Sequence, residues 1–520
     1  MTFLVATGVL LFCLNNCLQK KRYGAGADNR GNIDIGWASA DITPDQPVDI
    51  RGQFTARISD GILDPVTVTA LAIESRNDTS SAKVILVSCD LITIEKELLD
   101  AVRMKIKESV PEIDPTQIII NATHTHTAPY CSTDMDTRNR YGIVLDVMAP
   151  SDYFEFVVER ISETVKKAWS NRKPGGISCG LGHAVVGHNR LAVDFSGKSV
   201  LYGNTNREEF SHIEGYEDHT VNLLYTWDKD SKLTGVLINI ACPSQATETL
   251  NKISADFWHE TRIELGNRLG GDVFILPQCS AAGDQSPHPL FGDKAEERMQ
   301  RIMFSPINET GEYNIGLRKQ IAKQIADAVT SVLPYMSNNI EWNPVIKYQM
   351  EVVELSRRLI AVGDVGKAMN ESMEWKKRYE QLLQEVNENS DIKNIPGWYS
   401  DITVTYRRMT RGQSVKDRYE LGKVQPKIPV EIHVLRIGDM VMATNPFELY
   451  VDFGMRIKAR SPATQTFLVQ LSNGSFGYLP PSRSTTGRSY GAEPASTLVG
   501  PEGGQELVNK TLGIINKVME

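Results

Sequence analysis

The chain has 520 residues, of which 41% are hydrophobic and 23% are charged, with 39 glycines and 24 prolines. This composition excludes a collagen-like, coiled-coil or wholly disordered protein, and the length suffices for a large buried core. The 56 basic and 64 acidic residues give a formal net charge of -8 without a dense basic block, which argues against nucleic acid as a partner.

Residues 1–25 are predicted to be a signal peptide or a lipoprotein leader. They begin with an apolar run of about a dozen residues, which is too short to span a membrane and suits the core of a signal peptide. The segment that ends at Cys17 has the outline of a lipoprotein box, so membrane anchoring through a lipidated Cys17 is one expectation. The chain is therefore predicted to be exported, as a periplasmic, secreted or outer-membrane protein, and a buried N-terminal helix is the alternative.

From Ile33 onward, strand-like and helix-like segments alternate. Amphipathic patterns predict helices at Glu95–Ser109, Ser151–Trp169 and Leu317–Leu333. Short runs rich in Val and Ile predict strands at Val66–Ile73, Val84–Cys89, Gln117–Ala122, Val221–Thr226, Val236–Ala241, Val273–Leu276, Ile432–Ile437, Met440–Thr444 and Thr466–Leu471. This alternation predicts an α/β fold of mixed, partly parallel sheets covered by helices, in a single large domain of residues 33–520.

One polar, helical segment interrupts this alternation at about residues 359–395. It is rich in Glu, Lys, Arg and Gln and is broken by the string Ile395-Pro396-Gly397-Trp398. Charge runs of this kind are typical of a solvated helix face. We therefore interpret the segment as a helical insertion on the surface of the domain.

The segment Gln117–Tyr130 carries the most specific chemical pattern. A buried strand runs into Thr123–His126, so that the imidazoles of His124 and His126 extend from its carboxyl end. Side chains two residues apart in an extended chain point the same way, and ligands of open α/β sheets bind at this edge. Neutral imidazole is a good zinc ligand, and the spacing suits a metal site. A hydrogen-bonded structural pair of histidines fits the pattern equally well.

Polar residues also follow three other predicted strands. Asp284 and Ser286 lie in the loop after Val273–Leu276, where they suit a base orienter, a nucleophile or a substrate contact, or a turn that Asp284 caps. Glu448 follows a Pro turn, where it either joins a site or begins a helix as a dipole-stabilising acid. Tyr478 lies in a Gly-rich loop. We therefore expect one site at the carboxyl ends of the strands.

Taken together, these strings resemble the catalytic domain of the neutral/alkaline (non-lysosomal) ceramidases, zinc amidases that hydrolyse the N-acyl bond of ceramide. The resemblance begins at the Asp-Ile-Thr string of Asp41–Pro44 and extends to Thr497–Gly504 and the helix that follows. The matching strings are the Thr-His-Thr-His of Thr123–His126, the Gly-Asp-Gln-Ser-Pro of Gly283–Pro287, the Asn-Pro-Phe-Glu of Asn445–Glu448, Gly477-Tyr478, Tyr490 and the Asn-Arg of Asn189-Arg190.

The resemblance implies one Zn²⁺ per chain and a set of residues around it. His124, Glu448 and Tyr478 match the family's zinc ligands. The implied catalytic residues are His126 at the substrate carbonyl, Ser286 and Asp284 of the Gly-Asp-Gln-Ser-Pro string, Tyr490 as a substrate contact and Arg190 as a support of the site. In the implied reaction a metal-activated water attacks the carbonyl, and Ser286 is a nucleophile only if a base lies within reach.

The chain departs from the family pattern in two places. The segment Val236–Gln245 holds no histidine where the family supplies a second zinc ligand, so Cys242, His126 or, as a reserve, His219 replaces it, or metal binding is weakened or lost. The resemblance also does not include the family's C-terminal immunoglobulin-like domain, which makes ceramide itself doubtful as the substrate.

Three functions follow as hypotheses. The first is a zinc-dependent hydrolase of a ceramide-like lipid or a related acylated compound, which predicts an apolar groove beside His124. The second is an esterase or amidase acting on an acylated sugar or another non-lipid small molecule, which predicts a polar pocket lined by Trp or Tyr. The third is a metal-free binding protein. The oligomeric state is left open.

Overall fold

Two β-sheets packed face to face form the centre of the protein, as seen in a computed structural model that describes residues 32–75, 82–304 and 315–520. The predicted leader, with Cys17, lies outside these residues. Among the helices in the described ranges, none combines the length and apolar character that crossing a bilayer requires.

The larger sheet has eight strands and the smaller one four. In spatial order, the larger sheet contains Phe274–Cys279, Leu233–Ile240, Thr220–Asp228, Lys173–His183, Ile33–Asp41, Thr67–Ser75, Lys83–Cys89 and Ile118–Ala122. The smaller sheet contains Ile346–Ser356, Lys427–Ile437, Met440–Thr444 and Gln465–Val469. Both sheets are mixed: the two edge pairs of the large sheet and the pair Met440–Thr444 with Gln465–Val469 are parallel, and the remaining pairs are antiparallel.

Alternate side chains of the strands belong to two apolar cores, one between the sheets and one between a sheet and its covering helices. In Lys83–Cys89, Val84 and Leu86 pack between the sheets, whereas Ile85 and Val87 face the covering helices. Successive side chains of a strand point to opposite faces, so a strand buried on both sides reads as a continuous apolar run. This is why the Val- and Ile-rich runs are detectable in the sequence.

Helices cover the outer face of each sheet. One half of the large sheet packs against one pair of helices, the other half against a second pair, and the small sheet against a third pair. In that order, these helices are Lys96–Ser109 and Pro150–Ser170, Phe257–Leu269 and Ile315–Met336, and Val451–Arg460 and Pro501–Met519. The protein is thus a single α/β domain with a helix–sheet–sheet–helix arrangement, which confirms the predicted fold class.

Shorter elements connect these layers around one end of the sheets. Short helices lie at Arg138–Tyr141, Asp293–Met303 and Ser482–Gly487, and a small sheet is made of Leu191–Asp194, Ser199–Leu201 and Phe210–Ile213. Two-residue strands pair His188–Asn189 with Gln285–Ser286, and Glu448–Leu449 with Tyr478–Leu479. The second pairing sets Glu448 directly beside Tyr478.

The helical insertion is an antiparallel pair of long helices. Val362–Glu388 and Ser400–Val424 are joined at the Pro-Gly break, where Gly397 has a φ of 73° that favours glycine. The predicted segment, about 359–395, therefore covers only the first of the two helices, because the break reverses the chain instead of ending the helical region. The pair packs on the domain through Tyr379, Leu382 and Ile402 and contributes to the candidate site described below.

All nine predicted strands and all three predicted helices are present, with shifts of a few residues at their ends. Strand Lys173–His183 escaped prediction because it contains four glycines, which disfavour strands. These glycines admit a close helix: a Cβ atom at Gly180 would lie 2.5 Å from Val332, and one at Gly182 would lie 3.0 Å from Ala328. Packing against helix Ile315–Met336 therefore overrides the local preference.

Candidate active site

The loops that follow four strands meet around one cavity of about 330 Å³. They follow Lys83–Cys89, Ile118–Ala122, Met440–Thr444 and Gln465–Val469. The two sheets are tied together at this end, since Asn473 donates its backbone N–H to Ile120 O at 2.9 Å and accepts the Ile120 N–H on its side chain at 2.8 Å. The cavity is lined by His124, His126, Glu448, Tyr478 and Tyr490, which sequence motifs single out, together with several arginines.

His124 is buried and held in one orientation. Its backbone lies in the left-handed region, with a φ of 63°, which a non-glycine residue adopts only when its surroundings hold it there. Nδ1 lies 2.7 Å from the carbonyl oxygen of Ile92 and donates its proton to it. In the neutral ring Nε2 is therefore the nitrogen with the lone pair, and it lies 3.4 Å from Glu448 Oε2.

His124, Glu448 and Tyr478 together form one end of the cavity, which we call the His124 corner. Burial alone would raise the pKa of Glu448, but contacts with His124 and Tyr478 and the charge of Arg190 hold that pKa below its usual value, so the carboxylate stays ionised. Burial and the neighbouring Glu448 charge raise the pKa of Tyr478 well above its usual value, so its hydroxyl stays protonated in the absence of a metal ion.

These three side chains have the chemistry of a zinc site. Ligands about 2.0–2.1 Å from a tetrahedral ion lie roughly 3.3 Å apart, and the 3.4 Å between His124 Nε2 and Glu448 Oε2 fits that spacing. The bond from His124 Nδ1 to a carbonyl is the usual support of a metal-binding imidazole. The donors fit a divalent ion, although nowhere in the described ranges do three or more His, Cys, Asp or Glu side chains gather as a metal-binding group.

His126 lies beside His124, with the two rings 5.0 Å apart and nearly perpendicular. Its Nε2 accepts a 2.6 Å bond from the side-chain amide of Gln245. Its Nδ1 lies 3.4 Å from the Glu248 carboxylate but, among the described residues, has no aligned hydrogen-bond partner. Burial lowers the pKa of His126, with His124 and Arg57 adding to that effect against the opposing Glu248, so the ring is neutral near pH 7.

Arg57 holds the segments on either side of His126 together. Its guanidinium donates to four backbone carbonyls, those of Arg51, His126, Glu248 and Leu250. Next to it, Gly52 has a φ of 125°, and a Cβ atom there would lie 2.7 Å from the His126 ring. The backbone around position 52 is thus pressed against the imidazole in a way that only glycine permits.

Arg190 links residues behind the cavity wall to Tyr478, which lines the cavity. It is buried and donates to Gly283 O at 3.0 Å, to the Gln245 side chain at 3.2 Å and to the Tyr478 hydroxyl at 3.4 Å. Its Nε has no partner among the described residues. Arg190 therefore contacts both Gln245 and Tyr478, and its supporting role stays a prediction.

Ser286 and Asp284 lie behind this layer, in contacts that differ from those of a nucleophile and its base. Ser286 Oγ accepts 3.1 Å bonds from the Tyr202 hydroxyl and from the His288 backbone N–H, neither of which is a base. Asp284 accepts from Asn189 at 2.9 Å and from the Val451 backbone N–H at 2.9 Å. The second bond satisfies the first backbone N–H of helix Val451–Arg460, whereas the sequence predicted that Asp284 caps a turn in its own loop. Burial raises the pKa of Asp284 to about 6.

Tyr490 lies across the cavity. Its ring packs edge-on against Tyr478, with ring centres 5.9 Å apart, and against Phe54. Burial raises the pKa of Tyr490, so its hydroxyl is a proton donor at neutral pH. This position on the cavity wall suits the substrate contact that the family resemblance implies.

Two residues considered as replacements for the missing histidine do not reach His124. The Cys242 thiol is buried and donates to the Val186 carbonyl at 3.1 Å. His219 lies 3.1 Å from the Glu217 carboxylate, and its ring lies edge-on to that of His188. The loop that was expected to supply a histidine instead delivers Gln245 to His126.

Gln245, Glu248 and Arg57 belong to the site but were absent from the sequence prediction. They carry no metal-binding or nucleophilic pattern, and Arg57 is far from the others in the chain. One usable signal was the position of Gln245 and Glu248 just after the predicted strand Val236–Ala241, at the same edge as His126.

Two solved structures are similar to this chain over most of its length. The neutral ceramidase from Pseudomonas aeruginosa matches with a TM-score of 0.65 and 15% identity, covering 94% of this chain and 75% of that one. A ceramidase complexed with C2 matches with a TM-score of 0.63 and 15% identity, covering 93% and 75%. No family model and no curated protein matches. At this identity the likeness shows that the chain has a ceramidase-like fold.

Proposed function

We propose that this protein is a metal-dependent hydrolase that cleaves the acyl bond of an amide or an ester. The observation that carries the proposal is the meeting of His124, Glu448 and Tyr478 in one cavity with His126 and Tyr490 on its wall. A buried imidazole and carboxylate with ligand-like spacing support a metal site. The ceramidase-like fold supports acyl-bond hydrolysis, and one Zn²⁺ per chain is the metal we propose.

The residues around the cavity have distinct tasks in this proposal. Zinc, when bound by His124, Glu448 and Tyr478, supplies a Lewis acid that polarises a carbonyl and makes water nucleophilic at neutral pH. His126 holds a proton at Nδ1, on the side of Glu248, because its Nε2 accepts from Gln245. Tyr490, protonated and on the wall, donates to the substrate or to the developing oxyanion.

Ser286 is not the nucleophile in this mechanism. Its hydroxyl contacts Tyr202 and a backbone N–H, and an attacking serine needs a base within about 3.2 Å. We therefore expect Ser286→Ala to retain activity within about tenfold of the wild type, because only a supporting contact is lost. Steady-state hydrolysis rates of the two proteins test this. A loss of about a thousandfold or more, or a covalent acyl-protein adduct trapped on wild type but not on Ser286→Ala, would restore the serine mechanism.

The cavity lining favours a polar substrate over ceramide. A ceramide-like lipid predicts an apolar groove beside His124, yet the apolar side chains of the lining are few and arginines are numerous. A sugar substrate predicts Trp or Tyr, of which Tyr478 and Tyr490 are present. Hydrolysis of an acylated, non-lipid small molecule is thus the form of the proposal that this cavity supports better. Export and anchoring through Cys17 remain predictions.

Metal analysis together with a substrate panel tests the proposed function. We expect about one zinc per purified chain and hydrolysis of N-acyl amides or acyl esters that a chelator abolishes and zinc restores. Less than about one tenth of a zinc per chain, with the panel unhydrolysed after zinc is added, would support the metal-free binding protein instead. Release of fatty acid from an N-acyl sphingosine, compared with acetylated and longer acylated sugars, identifies the leaving group of the acyl bond.

A further inference from the structure

We propose that the substrate carries an anionic oxygen group, such as a carboxylate, sulfate or phosphate, that is bound by a group of arginines at the cavity. This arginine group consists of Arg51, Arg140, Arg407, Arg411 and Arg418, all of which line the cavity that contains His124 and Glu448. The inference rests on the proposed function for the acyl bond that is cut, but anion binding itself can be measured without hydrolysis.

Three members of the arginine group come from one face of the second insertion helix. Arg407, Arg411 and Arg418 lie at spacings of four and seven residues in helix Ser400–Val424. At 3.6 residues per turn these positions fall within about 40° of one another. This helix, which lies outside the predicted insertion segment of about 359–395, therefore directs a row of guanidinium groups at the cavity.

A second cavity, of about 400 Å³, continues from the first. The two share Phe54, Arg140, Arg407 and Arg411 in their linings. The arginines thus lie where the pocket extends away from the His124 corner, and a substrate with its acyl bond near His124 can place another part of the molecule among them.

Carboxylates compensate only part of this positive charge. Arg51 pairs with Glu95 at 2.7 Å, Arg411 pairs with Glu493 at 2.7 Å, and Arg140 lies 3.6 Å from Asp49. Arg418 donates to backbone carbonyls, of Pro494 at 2.9 Å and Thr497 at 3.3 Å, and has no carboxylate partner within the described part of the chain. Of the residues that line the first cavity, only Glu448 carries a carboxylate, and it belongs to the His124 corner.

Arg407 is the member with the fewest partners. Its guanidinium lies 5.7 Å from the Phe54 ring centre, and within the ranges that the structure describes it has neither an ion pair nor a hydrogen-bond acceptor. Burial and the repulsion of Arg140 and Arg51 lower its pKa to about 10. An arginine held in this way, with the Asp49 charge near it but no carboxylate in direct contact, gains most from an incoming anion, since guanidinium groups bind planar and tetrahedral oxyanions through paired hydrogen bonds.

Anion binding by the purified protein tests the inference directly. The probes are acetate, inorganic sulfate and inorganic phosphate, each compared with chloride at equal ionic strength by thermal unfolding and by calorimetric titration. We expect at least one probe to bind and to raise the unfolding temperature, and Arg407→Gln to weaken its binding about tenfold or more. Arg407→Lys keeps the charge but loses the forked donor, so it should bind at an intermediate level. The strongest probe identifies the oxyanion.

The matched control is Arg408→Gln. Arg408 is the neighbouring arginine, but it is exposed and packs over Trp375. We expect this variant to bind the probes like the wild type. We also expect Arg407→Gln to unfold at about the same temperature as the wild type or higher, because Arg407 has no ion pair or hydrogen bond to lose and its removal relieves repulsion from Arg140 and Arg51. If Arg407 stabilised the fold instead, Arg407→Gln would lower the unfolding temperature. Equal binding by Arg407→Gln and the wild type, or no binding by either, overturns the inference.

Hydrolysis of matched substrates separates this inference from the proposed function. The pair is an N-acyl amine without charge and the same molecule carrying the best-bound oxyanion on the amine side. We expect kcat/KM to favour the anionic member about tenfold or more, and Arg407→Gln to remove that preference. Hydrolysis of both at equal rates overturns the anionic substrate but leaves the hydrolase intact. Specific anion binding without any hydrolysis overturns the hydrolase but leaves the arginine group as an anion site.

Discussion

His124→Ala is expected to lower acyl-bond hydrolysis by about a thousandfold or more and to remove most of the bound zinc. Even supporting residues around a metal ligand commonly contribute 10–100-fold to affinity or activity, and His124 would be a ligand itself. It is the one imidazole whose Nε2 faces Glu448, at 3.4 Å, while its Nδ1 is already bonded to Ile92 O. Zinc content is measured by elemental mass spectrometry. Activity is measured as kcat/KM on the best acyl substrate.

Two further variants make this result interpretable. His212→Ala removes an exposed histidine on the strand Phe210–Ile213 and should leave both zinc content and activity unchanged. Glu448→Gln keeps the shape of the side chain but loses its charge, and it should resemble His124→Ala in both measurements. If His124→Ala retained its zinc and more than about a tenth of the wild-type activity, the His124 corner would not be the metal site.

The strand ends that build this corner are predictable from the sequence because they are buried on both faces. Such strands are continuous runs of Val, Ile and Leu, and the polar residue where each run stops is conspicuous. His124, Glu448 and Tyr478 were all located in this way, since each lies a few residues past a predicted strand. The register that sets Glu448 beside Tyr478 was not predictable, because it depends on pairing between two-residue strands.

The residues that support the corner were harder to predict, for a physical reason. Arg57 stabilises the His126 segment by donating to backbone carbonyls, and every residue has a carbonyl, so the sequence does not reveal its partners. Gln245 was hidden because an amide can serve almost any hydrogen-bonding role. Such interactions are determined by tertiary structure and leave little local pattern.

The arginine group was also not predictable from the sequence, because tertiary structure brings its members together. Arg51, Arg140 and Arg407 are far apart in the sequence, and their approach depends on how the insertion helices fold back onto the domain. The helix Ser400–Val424 packs there through ordinary contacts, such as Ile402 in an apolar cluster and Thr403 accepting the backbone N–H of Ala56 at 3.1 Å. The arginines of this helix, which lie outside the predicted charge run, therefore become part of the cavity wall.

A buried arginine behind the site is expected to contribute strongly to the stability of the protein. Arg318, in helix Ile315–Met336, is only 1% exposed and bonds Asp64 and Glu260 at 2.7 Å each and Ser254 at 3.1 Å. The Ser254 carbonyl in turn accepts both threonine hydroxyls that flank His126, those of Thr125 and Thr127, at 3.0 Å. Arg318 therefore links the outer helices to the loop that holds His126.

Arg318→Met should lower the free energy of unfolding by about 3–5 kcal/mol, because it leaves the buried carboxylate of Asp64 without its counter-charge. Urea unfolding followed by circular dichroism measures the change. Arg268→Met is the matched control: Arg268 joins the same two helices through Asp327 at 2.7 Å, but these side chains are 25% and 50% exposed. Exposed pairs contribute about 1 kcal/mol or less. Equal losses in the two variants would mean that burial does not set the strength of this network. A small loss in Arg318→Met alone would mean that Asp64 finds another partner or is neutralised.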